Sequence, residues 1–417
     1  MIDRRTLLLS ITGALAGASV RAQRAKPPTI VLRSSWQTVN IGDIGHTPGV
    51  LRLIEQHIPG AEIRLWPSDV GHGVEAMLRR RFPRLAIVQT PAEIDAALKE
   101  GDLLLHGSGP SLVGRADVAR WARETGKPYG VYGITFPGVY GRPEEMSRVN
   151  PLDVELLTKA RFAFFRDSVS LAFAKAHGVA CPIMAFAPDG AFAVDVLDEA
   201  RAEAFLAEHA LEPGRFMCVI PRTRFTPYWE VAGRNTPFDA WRHARNEAMK
   251  EHDNRPLRDA IVAVVRQASM KVLVCPEDET QVTLGKEVLV DPLPADVKPR
   301  VVWRDRYWLT DEAVSTYRRS AGLFGLEMHS PIMCVGNGVP AIVCRFAEQT
   351  SKGVMWKDVG LGDWLFDMDV EADVRRIVPA VLAMAQDAAG ARTTLAKARQ
   401  LVLDRQRETM AVVASNL

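Results

Sequence analysis

From residue 29 onward, short apolar runs alternate with amphipathic helical stretches, and this alternation restricts the chain to parallel sheets covered by helices on both faces. In the first half the runs are "TIVLRSSW", "AEIRLW", "LAIVQ", "DLLLHG", "YGVYGITF" and "FAFFRD", separated by helical stretches such as "PGVLRLIEQHI" and "AEIDAALKEG". Thr47 followed by Pro48 marks one helix start, and Thr90 followed by Pro91, with Glu93 completing a T-x-x-E capping box, marks another. The second half repeats the scheme with "RFMCVIPR", "KVLVCPE", "PRVVWRD", "AGLFGLE" and "PAIVCRF". A chain of 417 residues favours two domains, because single cores stop growing near about 250–300 residues. The expected fold class is α/β: one Rossmann-like, doubly wound parallel-sheet domain over residues 27–195 faces a second, over 213–375, across a cleft. Residues 223–254 read as an insertion after the first strand of the second domain. The helices over 376–417 either stay on that domain or cross back to the first.

Charge narrows the partners. The 52 basic and 50 acidic residues leave a formal +2 spread along the chain, which points away from nucleic acid and anionic membrane surfaces and toward small or neutral ligands. At the N-terminus Arg4 and Arg5 precede the mildly apolar "TLLLSITGALAGASV" and then Val20-Arg21-Ala22. This reads as a twin-arginine-like export signal over residues 1–22, placing the mature chain in the periplasm or outside the cell. The run is shorter than the roughly 18 apolar residues of a spanning helix, and no later run reaches that length, so the mature chain is expected to carry no transmembrane span. Five cysteines are scattered without a C-x-x-C pair, and three sit in or beside apolar runs, as buried thiols would. Neither a disulfide framework nor a zinc spacing is present, so no metal site is expected.

In open parallel sheets, ligands bind beyond the carboxyl ends of the strands, so the residues following each apolar run carry the chemistry. "WQTVNIGDIGHTPG" places Gly42 and Gly45 where backbone could approach a ligand, while Asp43 either accepts sugar hydroxyls or bonds the turn's own backbone. His106 ends "DLLLH", as a core or a cleft histidine. Arg166 ends "FAFF", suited to a carboxylate or phosphate or to a domain interface, and Asp167 is a natural helix cap. Arg222 and Arg224 follow "CVIP", and "GLFGLEMHSPIMCVGNGVPAIVCRF" brings Glu327, His329 and Arg345 from successive strand ends, with Gln349 and Lys352 just beyond. Several cations and a histidine converging from separated segments suit an anionic small molecule.

The ordered set "NIGDIGHTPG", "GDLLLHGSGPSL", "FFRDSVSLAFAKAHGV", "PDGAFA", "CVIPR", "EMHSPIMCVGNGVPAIVCRF" and "SKGVMWKDVGLGDWL" resembles the polysaccharide pyruvyl transferase family over roughly residues 40–365. The resemblance implies an architecture like that of two-domain glycosyltransferases of the B type (GT-B-like). It also implies a transferase that moves pyruvate from phosphoenolpyruvate onto hydroxyls of a surface polysaccharide as a ketal, with no cofactor beyond that donor. By the same resemblance His329 matches the family histidine and the catalytic acid, while Arg166, Arg222 and Lys352 hold the donor. Asp43, His106, Glu327 and Arg345 complete the expected substrate-binding set. One departure stands out: where the family shows Arg-Leu-His, this chain has Glu327-Met328-His329. A carboxylate there would repel a multiply charged donor, raise the pKa of His329, or pair with Arg345. Export also separates the enzyme from a cytoplasmic donor. The alternative is an exported carbohydrate-binding protein on the same scaffold, with Glu327 and Asp43 accepting hydroxyls and Trp229 and Trp356 stacking on sugar faces.

Overall fold

A computed structural model describes residues 26–34, 36–138 and 147–417, so the expected export signal lies outside the described residues. The first sheet is built from β1 (Thr29–Arg33), β2 (Glu62–Trp66), β3 (Ala86–Ile87), β4 (Leu103–His106), β5 (Tyr129–Ile134), β6 (Phe162–Phe165) and β7 (Met184–Phe186). The second contains β8 (Phe216–Ile220), β9 (Lys271–Val274), β10 (Val301–Trp303), β11 (Gly322–Gly325), β12 (Ala341–Arg345) and β13 (Leu365–Asp367). Strand orders are β3-β2-β1-β4-β5-β6-β7 and β10-β9-β8-β11-β12-β13, parallel at every pairing. These are two doubly wound sheets, and each reverses direction once, between β1 and β4 and between β8 and β11. The apolar runs predict eleven of these strands; β7 and β13, each of three residues, are not among them.

The first helix differs from its expected start. It runs Ile41–His57, seven residues earlier than the Thr47-Pro48 signal, because the Asn40 side chain accepts the N–H groups of Gly42 (2.8 Å) and Asp43 (3.0 Å) and caps the helix there. Pro48 therefore sits inside the helix. Gly42, Gly45 and Gly49 lie on one helical face and do not form a ligand loop. A Cβ at Gly42 would stand 2.2 Å from the His329 Cβ, and one at Gly49 would stand 1.9 Å from the Gly190 carbonyl oxygen. The glycines thus let the second domain's helix His329–Gly336 and the 3₁₀ turn Gly190–Ala193 close onto the first helix. By contrast, the capping box at Thr90 and Glu93 forms as expected.

Apolar residues from both sheets, such as Leu32 and Leu105 with Cys218 and Leu323, share one continuous core cluster. The long final helix, Ala388–Ser415, crosses back to the first domain: Tyr132 and Thr409 join hydroxyls at 3.2 Å, and Arg405 donates to the Phe186 carbonyl at 2.9 Å. All five cysteines are free and buried. No helix among the described residues is long and apolar enough to cross a membrane.

Candidate functional site

The reversal between β8 and β11 sets two strand ends side by side, with Ile220 paired to Gly325, so Arg222 and Glu327 each follow two residues later. They meet at 2.5 Å, Arg222 Nη1 donating to Glu327 Oε2, while Gln281 Nε2 donates to Oε1 at 2.6 Å. Both carboxylate oxygens are thereby occupied, and Glu327 is only 1% exposed. Burial raises the Glu327 pKa, against the pull of Arg222. The expected alternative partner, Arg345, bonds Asp367 at 2.6 Å and the carbonyls of Phe346 and Thr350; it ties β12 to β13.

His329 begins its helix and faces Glu277, with Nδ1 at 3.2 Å from Oε1; Glu277 Oε2 accepts the Ser330 N–H at 2.6 Å. A carboxylate only accepts, so Nδ1 carries the proton and Nε2 is left as a buried atom without a protein partner among the described residues. Burial lowers the His329 pKa well below its ordinary value, and the charges of Lys352 and His46 add to this against Asp43. The imidazole is neutral at pH 7, and the expected upward push from Glu327 does not prevail.

Behind His329 lies a second imidazole. The His46 ring stands nearly perpendicular to it, with centroids 4.7 Å apart. His46 Nδ1 and Asp189 Oδ1 are 2.8 Å apart, and Arg166 donates to Asp189 Oδ2 at 2.8 Å. Burial alone would raise the Asp189 pKa, but His46 and Arg166 outweigh it and hold the carboxyl well below the usual range. Arg166 also donates to Thr135 Oγ1 at 2.7 Å and is 1% exposed, so it braces this network from behind.

In front of His329 opens an interdomain cavity of about 190 Å³. Asp43 and Gln37 line it from the first domain, and Arg222, Tyr228, Glu327, His329 and Lys352 line it from the second. Of the sequence-derived candidates, Asp43, Arg222, Arg224, Glu327, His329 and Lys352 share this cavity, whereas Arg166, His106 and Arg345 do not line it. His106 is a core histidine that accepts the Gly114 N–H at 3.2 Å; burial, with Arg33, pushes its pKa down to about 4. Arg224 is neutralised by Asp253 and Glu348. Trp356 is fully buried, donating to the Ala341 carbonyl, and so offers no face to a sugar. Trp229 packs edge-on to Phe238. A larger cavity, of about 740 Å³, opens by Thr38 and Val39 and is lined by Arg80, Tyr307 and Trp308, but it holds none of the strand-end candidates.

Sequence reasoning passed over His46, Asp189 and Glu277. All three stood in quoted stretches, "NIGDIGHTPG", "PDGAFA" and "KVLVCPE", but their partnerships span 143 and 52 residues and leave no local signature.

Asp278 adds a pH-sensitive element beside the site. One oxygen accepts the N–H (3.0 Å) and hydroxyl (2.8 Å) of Thr280, while the other is buried without a partner among the described residues. Burial pushes its pKa up to about 6, and Glu327 adds to that against Thr280 and Arg222. A pKa above the unfolded value means that stability is full below about pH 4, falls as pH rises toward 6, and stays reduced beyond it. Asp278→Asn is therefore expected to gain about 2–3 kcal/mol over the parent at pH 8 and little at pH 4. Urea denaturation at both pH values checks this; an equal effect at the two would refute it.

The family model for polysaccharide pyruvyl transferase matches residues 40–346. No curated protein matches the sequence. Among solved structures, the chain is similar to Anabaena Alr3699/HepE in complex with UDP-glucose, at 9% identity and a TM-score of 0.57 over 93% of this chain and 100% of that one. It is also similar to the S. aureus MnaA–UDP co-structure, at 10% identity and a TM-score of 0.56 over 92% and 95% of the two chains. A putative UDP-N-acetylglucosamine 2-epimerase from Listeria monocytogenes aligns at 13% identity and a TM-score of 0.53, over 90% and 91%. At such identities these likenesses show the fold, two parallel-sheet domains in a GT-B-like arrangement. The matched span begins at the Asn40 cap and ends one residue past β12, taking in Asp43, His46, Asp189, Arg222 and His329, and the chain belongs to the polysaccharide pyruvyl transferase family.

Proposed function

We propose that this protein transfers pyruvate from phosphoenolpyruvate to two hydroxyls of a polysaccharide sugar, forming a ketal. Family membership supports the coarser statement, that the chain is a polysaccharide-modifying enzyme. The observation that carries the finer one is the convergence of Arg222, His329 and Lys352, from three separate segments, on one cavity. Phosphoenolpyruvate brings a carboxylate and a phosphate, which Lys352 and Arg222 suit as partners. His329 is neutral in the free site, so the donor's own negative charge is what raises its pKa and loads the proton. That proton passes to the vinylic methylene as a sugar hydroxyl adds to the adjacent carbon. Phosphate then departs, and a second hydroxyl closes the ketal. One hydroxyl proton replaces the proton given to the methyl group, and the other leaves with phosphate.

Glu327 competes with the donor for Arg222. Glu327→Gln is expected to tighten phosphoenolpyruvate binding by about tenfold, or roughly 1.4 kcal/mol. The parent protein should melt at a higher temperature in millimolar phosphoenolpyruvate, and the variant should do so at lower donor concentration. A melting curve unmoved by the donor in both proteins but raised by an acidic oligosaccharide would overturn the proposal in favour of carbohydrate binding alone.

A further inference from the structure

We propose that Asp43, His46 and His329 form a binding site for one divalent transition-metal ion of the zinc class, and that its occupancy withdraws His329 from proton transfer. The three residues can offer one ligand atom each, all within 4.8 Å of one another. Both histidines are deeply buried, at 2% and 5% exposure, and Nε2 of each lacks a protein partner among the described residues. Two neighbouring orphan imidazole nitrogens are unusual in a packed interior, where buried polar atoms are normally satisfied.

The arrangement around them is that of a metal's supporting shell. Each Nδ1 faces a buried carboxylate, Asp189 for His46 and Glu277 for His329. A carboxylate at Nδ1 fixes the ring and the tautomer and presents the Nε2 lone pair. The carboxylates are themselves held, Asp189 by Arg166 and the Ala191 N–H, and Glu277 by the Ser330 N–H. Asp43 and His46 are three residues apart on one helix, on the same face, and the Gly42 contact brings His329 against them from the other domain. Two imidazoles and a carboxylate with a fourth position open toward the cavity suit zinc, cobalt or iron and not a hard cation that needs oxygen ligands alone. Lys352 opposes a cation here, while Asp43, Asp189 and Glu277 favour it.

The second half of the proposal rests on the proposed transfer reaction: Nε2 has a single lone pair and cannot hold a metal and carry the catalytic proton together. Titrating the chelator-treated full-length chain with cobalt(II) tests the site without any activity assay. One equivalent should develop the visible absorption of a four- or five-coordinate nitrogen–oxygen site, and zinc should abolish it. His46→Gln and Asp43→Asn should each weaken cobalt binding by about 10–100-fold. Asp43 lies at the cavity rim, so its variant keeps the fold even where the His46 variant does not. Absent absorption in the folded parent, or both variants binding like the parent, would overturn the site. One equivalent of zinc should also suppress pyruvyl transfer, reversibly with chelator; transfer that zinc leaves unchanged or stimulates would overturn the exclusion. Should the chain transfer no pyruvate at all, the cobalt titration still decides the site.

Discussion

His329→Gln is expected to lose pyruvyl transfer by about 10²–10⁴-fold while phosphoenolpyruvate still raises its melting temperature. Glutamine approximates the imidazole in volume and can donate to Glu277, which His329 meets at 3.2 Å, but it has no titratable nitrogen. Arg222 and Lys352, the proposed donor contacts, line the same cavity and are left in place by the substitution. A loss of chemistry with retained binding separates the proton-transfer role from a packing role. Ketal formation at parental rates, measured on a pyruvylatable oligosaccharide, would remove His329 from the reaction. Loss of donor stabilisation together with activity would instead make it a binding group.

The largest stability effect belongs to Asp189. Asp189→Ala is expected to cost about 3–5 kcal/mol, because it removes a fully buried carboxylate that pairs with the Arg166 guanidinium, itself 1% exposed. The loss is compounded at His46 and at the Ala191 N–H, both of which lose the same carboxylate oxygen. Asp189→Asn keeps one acceptor, either for these two or for Arg166, and should fall between the parent and Asp189→Ala. Equilibrium urea denaturation at neutral pH measures both variants. A cost below about 1 kcal/mol would mean that water reaches Arg166 and that the network is not the sealed support for His46 described above.

The layered architecture was legible because parallel strands buried on both faces must read as short apolar runs, and β1, β4, β8 and β11 do. Their carboxyl ends were legible for the same reason, and with them the list of candidates. Which way each side chain turns was not. His106 and Arg345 end strands as plainly as the segments leading to Arg222 and His329, yet His106 is satisfied by Gly114 and Arg345 by Asp367. Gly114 lies in a loop and Asp367 ends β13, and the sequence does not state where either comes to rest. The first helix misled for a local reason: a proline after a threonine is a sound start signal, but the Asn40 side chain had already supplied a cap. Glu327 was read as the departure from the family pattern, and its partner could be found only once β8 and β11 were known to be neighbours.

The glycine face of the first helix has a consequence for how charge is assembled. Where two halves of a site come from different domains, their spacing is usually set by side chains, which can rotate and let the spacing drift. Here the bare backbone of Gly42 meets the root of the His329 side chain across the domains, and that of Gly49 meets Gly190 within the first, with no room for even one added carbon at either. The separation between Asp43 and His46 on one side and His329 on the other is therefore set where the Gly42 main chain meets the His329 Cβ, an atom that does not rotate away. A reacting anion entering the cavity meets dipoles and charges already in position, and the cost of orienting them falls on folding and not on each turnover.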